Sequence, residues 1–141
     1  MSENSDLRVF VDSNVLLSAI RSEKSVSSHL LSLVIERHHL VICSYSITEV
    51  SQVISKRFPE AMTVWDSFLT SLEFELTYTP AHPLSFSAPP IRDPKDLPIL
   101  VSALAAQPDI FVTGDQDFHT PEIQEHLVVL TPSEFLRAFA Q

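Results

Sequence analysis

Residues 91–118, I-R-D-P-K-D-L-P-I-L-V-S-A-L-A-A-Q-P-D-I-F-V-T-G-D-Q-D-F, set the strongest limits on what this chain can fold into. Pro98 fits only the first turn of a helix, because deeper in one its ring strikes a carbonyl four residues back and removes a hydrogen bond. The helix therefore starts near Asp96. From Leu97 to Ala106 the residues are apolar almost all round, so this helix needs cover on more than one side. Ile110-Phe111-Val112 has strand character, and Thr113-Gly114-Asp115 turns the chain out of it. One acid opens a buried helix and another closes the strand that follows. In an α/β sheet both are candidates for the same rim.

The same alternation runs through the rest of the chain. Leu7-Arg8-Val9-Phe10-Val11 is β-rich and ends at Asp12, and residues 14–20 then look helical. Val26–Arg37 gives a second helix with Leu30, Leu31, Val34 and Ile35 on one stripe. A strand at 40–43 leads to a helix at 46–58 with Ile47, Val50, Val53 and Ile54 on its apolar face. Pro59 ends that helix or bends the chain into another through residues 65–72. Phe74-Glu75-Leu76 is a weaker strand. Residues 77–90, with Pro80, Pro83, Pro89 and Pro90, form a long loop without periodicity, which is a flap or a mobile segment rather than a domain linker. A strand at 127–130 precedes a final helix with Thr131 as N-cap, Pro132 at its first position and Glu134 closing a capping box. Strands alternating with helices indicate a parallel sheet with helices on both faces, a three-layer α/β/α domain spanning residues 1–141.

Composition bounds what such a domain can do. At 141 residues and 45% hydrophobic, the chain can bury roughly two-thirds of its unfolded surface. No apolar run approaches the roughly 18 residues that span a bilayer. The start, Met1-Ser2-Glu3-Asn4-Ser5-Asp6, lacks the parts of a signal peptide, so a cytoplasmic protein with no membrane partner is expected. The lone Cys43, between apolar residues, reads as a reduced core thiol. The single glycine, Gly114, excludes a P-loop and a G-x-G-x-x-G dinucleotide fingerprint. With nine basic residues against eighteen acidic ones, the chain cannot bind nucleic acid by bulk charge. A phosphate-bearing substrate would need metal ions or a local basic patch.

The acids can be read singly or together. Singly, Asp12 and Asp96 could cap helices, Glu49 could close a capping box over Ser46-Ile47-Thr48-Glu49, and Asp115 could make an Asx turn. Jointly, Asp12, Glu49 and Asp115 each follow a strand's carboxyl end, where open α/β sheets bind their ligands, and Asp96 starts the helix that feeds another strand. Two carboxylates ~5 Å apart repel by ~3 kcal/mol at an effective dielectric near 20. A cluster of four without an intervening cation is the pattern of an oxygen-only site for Mg²⁺ or Mn²⁺, one ion or two. Two such ions would offset about four of the nine net negative charges.

V-F-V-D-S-N-V-L-L-S-A-I, S-I-T-E-V, R-D-P-K-D-L-P-I-L-V-S-A-L and V-T-G-D-Q-D-F, in that order, closely resemble the PIN-domain nucleases, a subgroup of which are toxin components of toxin–antitoxin pairs. The resemblance spans Arg8 to Thr131. It implies a parallel five-stranded sheet of order 3-2-1-4-5 and a metal-dependent endoribonuclease with Asp12, Glu49, Asp96 and Asp115 as acidic quartet. An antitoxin partner is implied as well; a homodimer is expected because the Leu97–Ala106 helix and the proline-rich loop offer more apolar surface than one sheet can cover, and the resemblance points the same way. Two departures stand out: residues 21–25 lack the glycines common in the subgroup, and Leu97-Pro98 is apolar where many relatives are polar. Neither removes a carboxylate.

On this reading Asp12 is the central ligand, Asp96 and Asp115 complete one site, and Glu49 holds a second ion or the attacking water. Ser13, Asn14 and Thr113 are candidates to orient Asp12 or touch a phosphate. Asp117 either ligates through water or occupies an exposed turn. Arg92 and Lys95, with Lys56 and Arg57, are the nearby cations that could contact phosphate or simply be solvated. A haloacid-dehalogenase-type phosphatase would need an acid where Asn14 stands, and a phospho-accepting receiver domain a lysine after Lys95. The remaining competitor is a catalytically silent PIN-like module that binds RNA or protein.

Overall fold

The computed structural model describes residues 6–140. Residues 1–5 and 141, including most of the amino-terminal stretch read above for a signal peptide, lie outside the described residues.

Five strands, β1 (Arg8–Val11), β2 (His39–Cys43), β3 (Glu75–Thr77), β4 (Ile110–Val112) and β5 (Val129–Leu130), form one sheet of order β3-β2-β1-β4-β5. Every pairing is parallel. This is the order the resemblance implied. β4 and most of β1 and β2 read as apolar runs because both faces of the central sheet are buried, whereas the edge strand β3 is exposed. With a side-chain period of two, Val9, Val11, Leu40, Ile42, Ile110 and Val112 enter one core, and Phe10, Val41, Cys43 and Phe111 enter the other.

The first core is closed by α1 (Ser13–Arg21), α2 (Val26–Arg37), α3 (Ser44–Arg57), α4 (Met62–Ser71) and α7 (Pro132–Phe139) through Leu16, Leu30, Val34, Val50, Ile54, Trp65 and Phe135. The second is closed by α5 (Leu97–Ala106) and the one-turn α6 (Pro121–Gln124), with Phe10, Phe111 and Phe118 packed edge to face. The layering is α/β/α. Among the described residues no helix is long and apolar enough to cross a membrane.

Several boundaries differ from the sequence reading for identifiable reasons. α3 begins at Ser44, directly on the end of β2, so Ser46 is already inside the helix. The capping box proposed over 46–49 therefore does not exist. Pro59 opens a 3-10 turn, Pro59–Ala61, and α4 follows from Met62 rather than from Trp65. Asp96 closes a 3-10 turn, Pro94–Asp96, and α5 starts at Leu97 with Pro98 in its first turn, where the ring costs nothing. It ends where Gln107 takes a left-handed conformation (φ 50°) ahead of Pro108. The capping box of α7, Thr131 with Glu134, is present as expected.

The cover that α5 demands comes from within the chain. The proline-rich loop carries a 3-10 turn, Pro83–Ser85, that contacts α5, and Ala88 and Ile91 pack into the second core. Ile99, Leu100, Val101 and Ala103 are buried as a result, while Leu84 and Tyr78 on the loop remain 90% and 78% exposed. Between the helix and the loop, it is the loop that carries exposed large apolar side chains.

Candidate active site

β1 is flanked by β2 on one side and β4 on the other, and the chain's connections leave in opposite directions from that point. Such a switch point opens a crevice at the strands' carboxyl ends, where Asp12 follows β1 and Asp115 stands three residues beyond β4.

Asp12 is the N-cap of α1, and it is also buried, at 2% exposure. Its Oδ1 accepts from the Val15 N–H at 3.0 Å, and its Oδ2 accepts from the Thr113 hydroxyl. Burial pushes its carboxyl up to about 6, helped by the charge of Asp115, while the Thr113 hydroxyl and the Val15 and Asn14 N–H groups hold it down. Each carboxylate oxygen has two acceptor positions, so capping leaves Asp12 with lone pairs for another partner. Cap and ligand are compatible roles.

Thr113 joins the two sides of the crevice. It is fully buried, donates to Asp12, and accepts the Asp115 N–H at 3.0 Å. His119 braces it from behind, with Nε2 2.7 Å from the Thr113 carbonyl oxygen. A carbonyl only accepts, so Nε2 carries the proton there. Gly114, the single glycine, has no positive φ, and an added Cβ would meet nothing within 4 Å. Backbone geometry does not require glycine at that position.

Asp115 makes the Asx turn read from sequence, its Oδ1 accepting the Asp117 N–H at 2.9 Å. That turn brings Asp117 back toward the crevice. One carboxylate oxygen from each of Asp96, Asp115 and Asp117 lies within 4.8 Å of the others. Asp117 is therefore not an exposed turn residue. Its side chain is 15% exposed and accepts from Arg92 Nε at 2.8 Å. Asp96 makes no side-chain cap bond, and its carboxyl is pushed up to about 7 by burial first, then by the charges of Asp115 and Asp93.

Asp12 and Glu49 stand outside the group of three. Glu49 is half-buried in the second turn of α3, and its charge, with that of Asp96, acts on the Tyr45 phenol, whose pKa is raised chiefly by burial. Tyr45 is in the first turn of the helix that carries Glu49. The Ser13 hydroxyl is spent on Ser46, 3.0 Å away, which contacts the buried Cys43 sulfur at 3.3 Å. Asn14 is exposed on α1, and the Lys95 N–H is taken by Asp93. Lys56 and Arg57 lie in the last turn of α3, far along the helix from Glu49.

Tyr45 and His119 were absent from the sequence reading. Tyr45 is four residues before Glu49, a helical spacing that could have flagged it. Nothing in the sequence marks His119.

The donor set fits a hard divalent cation: carboxylate oxygens only, the Asp96 carboxyl held above its usual pKa by burial and by the charges of Asp115 and Asp93, with the guanidinium of Arg92 set against Asp117. The sequence matches the PIN domain over residues 8–117. The chain belongs to the PIN-domain family. This PIN domain also shares its fold with a chain of the VapBC2 complex from Rickettsia felis, solved bound to a DNA fragment from their promoter. The TM-score is 0.65 at 18% identity, covering 89% of this chain and 98% of that one. No curated protein sequence matches it.

Proposed function

We propose that this PIN domain is a Mg²⁺- or Mn²⁺-dependent endoribonuclease that hydrolyses RNA phosphodiester bonds and serves as the toxin of a toxin–antitoxin pair. The observation that carries the proposal is the convergence of Asp96, Asp115 and Asp117 on one point, with Asp12 tied to the same loop through Thr113. Family membership and the likeness in fold to a chain of VapBC2 support the same reading.

Asp12, Asp96 and Asp115 would hold the ion, with Asp117 adding a fourth oxygen directly or through water, and Glu49 would hold a second ion or orient the attacking water. When bound, the metal supplies a water acidic enough to attack phosphorus and offsets charge on the phosphate. Thr113 fixes which way Asp12 faces. Arg92, 77% exposed at its side chain, can exchange Asp117 for a substrate phosphate. The protein would act in the cytoplasm as a homodimer, with an antitoxin as its protein partner.

Incubating mixed RNAs with the purified protein tests this. Cleavage that requires Mg²⁺ or Mn²⁺, and disappears with EDTA and with Asp96→Asn, is expected. RNA retained but uncut in both metals would point instead to a silent binding module. Capture of the product of an adjacent gene on co-expression tests the antitoxin.

A further inference from the structure

The start of α3 poses a problem. Its N-cap, Cys43, contributes no side-chain hydrogen bond, yet the first N–H groups of a helix have no partner within it. The missing cap comes from 34 residues away. Thr79, two residues past β3, accepts the Tyr45 N–H on its hydroxyl at 3.1 Å, and its own N–H donates to the Ser44 hydroxyl at 3.0 Å. These two reciprocal bonds do what a capping box does, supplied from another part of the fold.

The Thr79 hydroxyl also reaches a second helix. Its oxygen lies 2.8 Å from the Ser102 hydroxyl, which is 2.7 Å from the Pro98 carbonyl in the first turn of α5. Each hydroxyl has one proton, and a carbonyl can only accept. The Ser102 hydroxyl is thus the donor, its proton shared between the Pro98 carbonyl and the Thr79 oxygen. The Thr79 lone pair takes the Tyr45 N–H. This gives one chain of hydrogen bonds that links the Tyr45 N–H, the Thr79 and Ser102 hydroxyls and the Pro98 carbonyl.

The two ends of that chain are next to site carboxylates. Glu49 is four residues after Tyr45, one turn along the same face of α3. Asp96 is two residues before Pro98. The charges of both carboxylates act on the Tyr45 phenol. We infer that Thr79 is the positioning residue that sets Glu49 and Asp96 relative to each other, by tying the first turns of α3 and α5 through this hydroxyl chain. The inference rests on the metal-site reading above.

Residues that orient metal ligands from behind change metal affinity by about 10- to 100-fold. Mn²⁺ titration of the full chain, followed by the electron paramagnetic resonance of the free ion, reads this without RNA. Thr79→Val keeps the side chain's shape and removes the hydroxyl, and should raise the Mn²⁺ dissociation constant about tenfold. Thr79→Ser restores the chain and should stay within about twofold of wild type. Ser102→Ala breaks the next link and should weaken Mn²⁺ like Thr79→Val, which keeps the test decisive if the valine variant folds poorly. A lower melting temperature with wild-type Mn²⁺ affinity in Thr79→Val or Ser102→Ala would make the chain a stability device and overturn the inference alone. Wild-type protein that takes up no Mn²⁺ would overturn the metal site, and this inference with it.

Discussion

Replacing Asp12 by Asn separates what that side chain does for the fold from what it does for the site. Asn caps helices about as well as Asp, so the bond to the Val15 N–H survives. The charge does not survive, and in the metal-free protein that charge is a burden. Asp12 titrates at about 6 in the fold against 3.8 ordinarily, so the folded state binds its proton more tightly than the unfolded state does. Stability therefore falls as pH rises from about 4 to about 6, and the deficit persists above that window. Two pKa units correspond to about 3 kcal/mol for a group this buried. Asn also turns an amide toward Thr113, whose hydroxyl must then accept and turn its proton away, a loss of about 1 kcal/mol. The balance is a gain of about 2 kcal/mol at pH 7.5, or roughly 4 to 8 °C in melting temperature. Urea unfolding in EDTA at pH 7.5 and pH 4 measures it: Asp12→Asn should be the more stable protein at pH 7.5, with that advantage gone at pH 4. Mg²⁺-dependent RNA cleavage should meanwhile fall by orders of magnitude. An Asn variant that is destabilised at pH 7.5, or that cleaves RNA like wild type, would refute the reasoning.

Millimolar Mn²⁺ or Mg²⁺ should raise the melting temperature of the wild-type protein well beyond NaCl of matched ionic strength, since an ion bound only by the folded state stabilises it by mass action. Equal shifts would remove the metal site. Asp96→Asn loses no cap bond, because Asp96 makes none, and Glu49→Gln loses no capping box, because α3 starts five residues earlier. Both should melt in EDTA at or above the wild-type temperature while losing RNA cleavage; a marked drop in melting temperature would assign them structural roles. Light scattering at high micromolar concentration should give a dimer mass, with the exposed loop residues Leu84 and Tyr78 as candidate contacts, and a monomer mass would contradict it.

The sequence revealed what local chemistry controls. Proline placement located the start of α5, apolar runs located the strands, and Thr131 with Glu134 located the start of α7 to the residue. Four acids were read onto one rim because strand ends and helix starts share an edge in a parallel sheet; of the four, Asp96 and Asp115 come together, joined by Asp117. Distances across that rim depend on how helices seat against one another, and no local signal carries them. Glu49 illustrates the limit: its capping-box spacing was genuine, but β2 runs straight into α3, and the helix begins before the box could form.

Asp117 shows the opposite case, where a local signal was visible and its consequence was not. The Asx turn at Asp115 was readable from the sequence. A turn of that kind reverses the chain within a few residues, so the side chain of Asp117 returns to the edge that Asp115 occupies and meets Asp96 there. An acid added to a crowded group raises the repulsion unless a cation answers it. The chain provides Arg92, which is mostly exposed and therefore weakly held. A stronger, buried counter-charge would make the metal-free fold more stable and close the crevice to a divalent ion. The weak pairing leaves Asp117 available, and the raised pKa values of Asp12 and Asp96 mark the unfavourable charge that an incoming cation would relieve.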